Sequence, residues 1–366
     1  MVFLADLEGE ERVFTIGLFG IQHEVLTEEK KKTITTLYSL LQQSANHLDH
    51  LQDESHGLSR NGPHSTTFIA YWLRSEDYKS WKYTESVKKF WNELPDDAGV
   101  WREVMTVPKS RFMHASSQPV KSAMGHLLEL KQSSDEGYWG VYRHRLAANP
   151  DQYTHADDKF ISPYVTTAKA KPGPEKKVIT IPRPQSTAIR SGRVRLSKVP
   201  ENLLFAREGQ RHPNISKDER DTWLESITPH AQSWMQHLDT EREKAGVLSF
   251  TTHLAHENPP TRTSAHAHNF NPTIDLETNT NAVAEANQLV YFLDLAHFEQ
   301  AGRAHRSHVQ LRKNTMEIYG PGGTMSEIGK AVLFVEICVL KAGDLDAEYI
   351  GCREGTGLMF LEDIDI

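Results

Sequence analysis

Runs of apolar residues along the first part of the chain predict strands, and amphipathic stretches between them predict helices. The predicted strands are Val13–Ile21, Thr66–Trp72 and Trp101–Pro108. A helical stretch is predicted from Thr27 to about Leu51, and a second helix follows Ser75 as its N-cap. Acidic residues in the first turn of that second helix favour its start at this point.

The second part of the chain repeats this order of elements. Strands are predicted at Asn202–Arg207, Val247–Thr251, Asn287–Leu293 and Val332–Leu340, and helices at Ser216–Lys244, Ala296–Ala304 and His308–Tyr319. Ser216 and Glu219 have the spacing of a capping box, and Gly246 is expected to end the long helix. Strand–helix–strand units in both parts predict an α+β fold, in which two pseudo-repeated ferredoxin-like halves form a barrel-type core with surrounding helices.

A stretch rich in lysine and proline, residues 168–189, joins the two parts and is expected to be exposed. We therefore predict one domain over residues 1–366 rather than two independent ones. Its pseudo-symmetric halves would span about 1–165 and 200–366 and share one core. A chain of 366 residues is long enough to bury a large core of this kind.

Composition narrows the class of protein. A net charge of −8 argues against nonspecific nucleic-acid binding. No apolar run approaches the ~18 residues of a membrane span, and the acidic N-terminus lacks the pattern of a signal peptide. A cytoplasmic enzyme or binding protein without a membrane or nucleic-acid partner is expected. The two cysteines, Cys338 and Cys352, lie in apolar segments and are expected to be buried, reduced thiols.

Histidine is abundant, with 19 residues, and one pair is placed for ligation. His305 and His308 follow the short helix after a predicted strand, where an imidazole can reach a metal ion or a haem iron. The same spacing also occurs on ordinary half-exposed helix faces. His266 and His268 could hold a metal, but the surrounding Asn-, Thr- and Pro-rich stretch favours a solvated loop.

Taken together, the segments resemble the haem-containing aldoxime dehydratases along most of the chain. The resemblance rests on the order and spacing of short elements rather than on any single one. These are Gly17–Gln22, Phe68–Trp72, Gly137–Gly140 (Gly-Tyr-Trp-Gly), Asn202–Gln210, Gly246–Ser249, Ala304–His308, Glu348–Cys352 and Gly355–Gly357.

The resemblance implies a haem b, expected to be ferrous for activity, with His308 as the proximal iron ligand and His305 as a neighbour. The distal arginine and serine of the family fall on Arg207 and Ser249, which would hold the departing oxygen of a small aldoxime, R-CH=N-OH. The family also implies a homodimer. The product of the family's dehydration is a nitrile.

One family residue is missing from its place. The distal histidine of the family precedes a Glu-Val-type pair, and Val335 stands there, before Glu336 and Ile337. Valine cannot exchange a proton, and no histidine follows His308 in the chain. His253 could reach the pocket from another strand. Three hypotheses stay open: a haem-dependent lyase on an aldoxime or another N–O compound, a haem or small-ligand binder without turnover, and a relative without haem.

Overall fold

The computed structural model describes residues 2–7, 12–53, 64–133, 142–146, 159–164, 180–181, 188–212, 215–256 and 283–364. Among these residues thirteen strands form one sheet in which every described pair of neighbours is antiparallel. The strands are β1 (Phe3–Ala5), β2 (Val13–His23), β3 (His47–Asp53), β4 (His64–Trp72), β5 (Val100–Pro108), β6 (Phe112–Ser116), β7 (Leu130–Gln132), β8 (Ile189–Arg195), β9 (Leu203–Arg211), β10 (Val247–His256), β11 (Val283–Phe292), β12 (Val332–Leu340) and β13 (Leu345–Arg353). Their order is β7-β1-β6-β12-β9-β11-β10-β3-β4-β2-β5-β13-β8.

Helices pack on the outside of this sheet. They are α1 (Glu28–Gln42), α2 (Ser75–Lys82), α3 (Glu85–Glu93), α4 (Tyr142–Arg145), α5 (Lys217–Ser226), α6 (Thr228–Thr240), α7 (Arg242–Ala245), α8 (Leu295–Ala304) and α9 (Arg306–Tyr319). The predicted α+β architecture with a barrel-type sheet and surrounding helices is confirmed.

The sheet has two faces with different surroundings. Its inner face carries one core that draws on strands of both parts of the chain, for example Phe14, Tyr71 and Phe205. On the outer face of β9 to β12, Ala206 and Val335 pack with residues of α6 and α8 in a second core. Because successive side chains of a strand point to opposite faces, adjacent residues on these strands belong to different cores.

Two predicted helices differ from the structure. The helical stretch predicted for 27–51 ends at Gln42, and His47–Asp53 is strand β3, which pairs with β4 and β10. Pairing on both sides outweighs the helical periodicity that continues into this segment. The long helix predicted from Ser216 is divided, because Pro229 lacks the amide hydrogen that would continue α5 into α6.

Several local predictions are confirmed. The hydroxyl of Ser216 caps α5 by accepting from the amide of Glu219, and Gly246, with φ of 70°, ends α7. Both cysteines are buried and free of disulfides. Most of the connection at 168–189 and the Gly137–Gly140 element lie outside the described residues, as do His266 and His268. Within the described part of the chain, no helix has the length and apolarity to cross a membrane.

Candidate functional site

His308, near the start of α9, has one of its two ring nitrogens committed by a backbone contact. Its Nδ1 lies 2.6 Å from the carbonyl oxygen of Gly302 on α8. A carbonyl oxygen can only accept, so Nδ1 carries the hydrogen and the lone pair stays on Nε2. No residue that the structure describes hydrogen-bonds to Nε2. Burial lowers the pKa of His308, which further favours the neutral ring that a metal requires.

The ring of His308 is held in place by its neighbours. The indole of Trp234, on α6, packs against it with ring centroids 4.6 Å apart. Gly302 allows the close approach, since a Cβ there would lie 3.1 Å from Cε1 of His308. Trp234 is itself buried, and its Nε1 has no hydrogen-bond partner among the described residues.

His305, the other histidine of the pair, has different surroundings. Its ring stacks on that of His237 with centroids 4.2 Å apart. It precedes the first residue of α9 rather than lying within the helix. The pair at 305 and 308 therefore does not converge on one point through this helix, and His308 alone has the backbone contact that orients an imidazole ligand.

The outer face of the sheet brings Val335 to the side on which α6 and α8 lie. Val335 is 3% exposed and packs in the same apolar core as Trp234 and Ala206. Its direct partner across β9 is Glu208. We call the helices α6, α8 and α9, which surround His308, the His308 layer. The outer face of the sheet presents apolar side chains and the carboxyl of Glu208 on the side of this layer.

Arg207 lies on the inner face of β9, where its guanidinium is engaged in hydrogen bonds and ion pairs. Its guanidinium donates to Asp49 at 2.5 Å, to the hydroxyl of Tyr71 at 2.7 Å, to Glu285 at 2.9 Å and to Asn287 at 2.8 Å. The side chain is 1% exposed. These carboxylates hold the pKa of Arg207 well above its usual value despite burial. The structure does not bring Arg207 and His308 together, because strand alternation sends Arg207 to the inner face.

Ser249 and His253 also belong to the inner face by strand register. Ser249 pairs with Tyr291, an inner-core residue, across an irregularity in β10. His253 is buried, with Nε2 2.9 Å from the hydroxyl of Thr251 and Nδ1 3.1 Å from a carboxylate oxygen of Asp53. In this structure neither residue shares the outer face with Val335, so the contact of Ser249 with the departing oxygen and the entry of His253 into the pocket stay predictions.

A second polar cluster lies beside Arg207 on the inner side. His47, Asp49 and His126 have potential ligand atoms within 4.8 Å of one another. The rings of His47 and His126 stack 4.0 Å apart at 16°, so their in-plane lone pairs run side by side instead of converging. The guanidinium of Arg207 already pairs with Asp49 and disfavours a cation there. This cluster is accounted for as a buried ion-pair network.

The chemistry of the His308 layer fits a haem group. It offers one neutral imidazole with a free Nε2, fixed from behind by a backbone carbonyl, which is how a ligating histidine is commonly oriented. None of the residues of α9, all of which are described, is fully buried. The His308 ring therefore lies on a helix whose side chains keep part of their surface exposed.

We did not identify Gly302, Trp234 or Glu208 as site residues from the sequence. Gly302 and Trp234 act through contacts between separate helices, which no local pattern reports. Glu208 was detectable in part: it is a charged residue within the apolar strand Leu203–Arg211, and its neighbour Arg207 must occupy the opposite face.

Known proteins are similar to this chain along most of its length. The family model of haem-containing dehydratases matches residues 17–358. Phenylacetaldoxime dehydratase from Bacillus sp. (strain OxB-1) is 22% identical over 306 residues, covering 82% of this chain and 74% of that protein. Aliphatic aldoxime dehydratase from Rhodococcus erythropolis is 23% identical over 314 residues, covering 84% and 75%.

Solved structures agree in fold. A crystal structure of an aldoxime dehydratase superposes with a TM-score of 0.73 at 18% identity, covering 98% of this chain and 90% of that one. A crystal structure of an aldoxime dehydratase in complex with butyraldoxime gives a TM-score of 0.71 at 16% identity, covering 98% and 88%.

Proposed function

Because this chain belongs to the family of haem-containing dehydratases, we propose that it is a haem-dependent lyase that dehydrates an aldoxime, R-CH=N-OH, to a nitrile and water. The observation that carries the proposal is the contact between His308 and Gly302, which leaves Nε2 of a half-buried, neutral imidazole free for iron. The aldoxime substrates named for the two curated relatives support the substrate class.

His308 would hold a haem b from the helix layer. When bound, ferrous haem would supply an iron that can give electron density to the oxime nitrogen. The protein's part is to fix the imidazole through Gly302 and Trp234 and to exclude water with the apolar outer face around Val335. Water exclusion strengthens every polar contact with the substrate in that space.

The dehydration also needs a proton to reach the departing hydroxyl oxygen and a proton to leave the aldoxime carbon. Val335 cannot carry either one. We keep Arg207 and Ser249 as proposed contacts of the departing oxygen, as the family resemblance implies. Their inner-face position in this structure means that such contacts would require a rearrangement of the network around Arg207.

The test is nitrile formation by haem-loaded, dithionite-reduced protein under anaerobic conditions, with phenylacetaldoxime and butyraldoxime as substrates. We expect nitrile from the wild-type protein and none from His308→Ala. His305→Ala is the matched control, since it removes a nearby histidine from the same segment and should retain activity. A wild-type protein that binds haem and aldoxime but forms no nitrile contradicts the lyase proposal.

A second candidate function is a haem protein that binds a small ligand without turnover. The buried, apolar Val335 favours it, because an apolar distal wall suits a gas or sensor site. Ferrous wild-type protein that binds carbon monoxide tightly, yet neither shifts its spectrum with aldoxime nor forms nitrile, would support this function instead.

A further inference from the structure

Glu208 occupies a position on the outer face that a structural carboxylate rarely holds. It lies on β9, directly opposite Val335 on β12 and opposite Gln288 on β11. Its sequence neighbour Arg207 is on the inner face, so the two carboxylates, the amide and the phenol of the Arg207 network do not reach it. Glu208 therefore stands on the His308 side of the sheet.

The Glu208 carboxyl has no hydrogen bond or ion pair with any residue that the structure describes. Burial raises its pKa to about 7, and no charged group among the described residues contributes to that shift. Even so, the side chain is only half-buried. The raised pKa and the lack of hydrogen bonds together indicate a carboxyl that is shielded from water but is not held by polar partners.

Glu219 shows what a structural buried carboxylate looks like in the same chain. It is 1% exposed and accepts from the amides of Lys330 and Ala331 and from the hydroxyl of Tyr319. Such bonds offset the free energy of burying a charge. Glu208 has none of them, although its pKa places it between its two protonation states at neutral pH.

The two described residues that pair with Glu208 on the neighbouring strands have no ionisable side chain. Gln288 and Val335 do not titrate, and the Oε1 atom of Gln288 is buried without a hydrogen-bond partner among the described residues. Tyr142 of α4 is close enough for the charge of Glu208 to act on its phenol. Burial, with the charge of Glu208, raises the pKa of Tyr142, so the phenol stays neutral.

Contacts lead from Glu208 to the His308 layer. The Tyr142 ring packs on Phe298 of α8 with centroids 4.9 Å apart, and Gly302 on the same helix accepts the hydrogen of His308 Nδ1. The charged residues near Tyr142 are Arg145 and Glu299; Glu299 lies 3.4 Å from Arg143 in an ion pair. Tyr142 and α8 thus connect the surroundings of Glu208 with those of the oriented imidazole.

We infer that Glu208 is the proton-carrying group of the distal pocket, in place of the histidine whose position Val335 occupies. The inference rests on the proposed function. The protonated carboxyl gives its proton to the departing hydroxyl, which leaves as water with the electrons of the broken N–O bond. The resulting carboxylate takes the proton from the aldoxime carbon, and the electrons of that C–H bond form the new C–N π bond. The carboxyl is regenerated without net oxidation or reduction.

The first test does not depend on turnover. It measures the C–O stretching frequency of the ferrous carbon monoxide complex of haem-loaded protein between pH 5.5 and pH 8.5. A carboxyl facing the bound ligand shifts this frequency as it ionises, so the wild-type frequency should change with a midpoint near pH 7. Glu208→Gln should abolish the change.

Glu336→Gln is the matched control. Burial also raises the pKa of Glu336 to about 7, but Glu336 follows Val335 on β12 and faces the inner side, where it accepts from Tyr71 and Met124. Glu336→Gln should keep the pH-dependent frequency. A frequency that is independent of pH in the wild type, or that still titrates in Glu208→Gln, overturns the inference.

The second test is nitrile formation. Glu208→Gln should bind haem normally and lose about 10²–10⁴-fold in dehydration rate, the usual contribution of a general acid–base group. Glu208→Gln with Val335→His should regain activity, because it returns a proton carrier to the same wall. If Glu208→Gln fails to fold, Glu208→Asp replaces it and should retain the pH response with a displaced midpoint.

The outcomes separate the two proposals. If the wild type dehydrates aldoximes and Glu208→Gln does so at the same rate, Glu208 is not the proton carrier and the lyase function stands. If the wild type forms no histidine-ligated ferrous haem, the proposed function fails and this inference fails with it.

Discussion

Nδ1 of His308 donates its hydrogen to the carbonyl oxygen of Gly302, so Nε2 is the ring nitrogen that is available to bind iron. The contact joins the start of α9 to the last turns of α8. Glycine at position 302 favours this contact, because a Cβ there would lie 3.1 Å from Cε1 of His308. Sequence patterns identified the histidine but not the glycine that orients it.

Gly302→Ala should weaken haem binding without harming the fold. The new Cβ would lie 3.1 Å from Cε1 and 3.3 Å from Nδ1 of His308, so the ring must move away from its carbonyl partner. Alanine in place of glycine within a helix favours folding by up to about 1 kcal/mol, which separates the two effects. Haem titration and thermal unfolding of the haem-free protein measure them.

Gly343→Ala is the control for that variant, since nothing lies within 4 Å of a Cβ at this position. It should leave haem affinity unchanged. Equal haem affinities of Gly302→Ala and the wild type would contradict the orienting role of the His308–Gly302 contact.

Val335→His should raise aldoxime dehydration, because it places an imidazole on the outer face opposite Glu208. We expect the rate of nitrile formation to rise about tenfold or more. The rise should be smaller than the ~10²–10⁴-fold contribution of a sole general acid–base group, since Glu208 already transfers the proton. Val335→Asn is a matched control that is polar and cannot exchange a proton at neutral pH. The measurement is the initial rate of nitrile formation; a gain in both variants would assign the effect to polarity.

Arg207→Met should destabilise the haem-free protein by about 3–5 kcal/mol, the range for breaking a buried ion pair from one side. The change leaves Asp49 and Glu285 without their shared cation on the inner face. Denaturant unfolding measures the loss. Lys217→Met removes the exposed partner of Asp221 and should leave the free energy of unfolding nearly unchanged. A fully stable Arg207→Met protein would show that the network is not needed for folding.

His114 should make the haem-free protein sensitive to acid. Burial lowers the pKa of His114 to about 3, with Arg207 and His126 acting in the same direction, and both ring nitrogens lack hydrogen bonds among the described residues. Below about pH 6.5 the unfolded chain therefore binds a proton at His114, whereas His114 of the folded chain stays neutral until the pH approaches 3. The free energy of unfolding is therefore not reduced by His114 above pH 6.5, and it falls as the pH decreases from 6.5 toward 3.

The size of this effect is about 1.4 kcal/mol of unfolding free energy per pH unit for one proton. His114→Gln, which does not titrate, should flatten the dependence of the unfolding free energy on pH between 6 and 4 by about that slope. His230→Gln, at a partly exposed site, should leave it unchanged. An identical slope in His114→Gln would mean that His114 is not the group that responds.

Much of the fold could be predicted because strands with strong apolar runs keep their pattern, as Val332–Leu340 does. The segment from His47 to Asp53 could not, since its polar residues become a strand only through pairing with β4 and β10. For the site, the sequence pattern identified candidate residues but did not show on which face of the sheet each side chain lies. Arg207 and Glu208 are adjacent, and the sheet alone decides that the carboxyl, not the guanidinium, looks toward the helix layer.

The most direct measurement is the iron–histidine stretching band in the resonance Raman spectrum of ferrous, ligand-free, haem-loaded protein. We predict the band in the wild type and in His305→Ala, and its loss in His308→Ala, with the band restored by added imidazole. A band that survives in His308→Ala would contradict the assignment of His308 as the iron ligand and, with it, the account of the site.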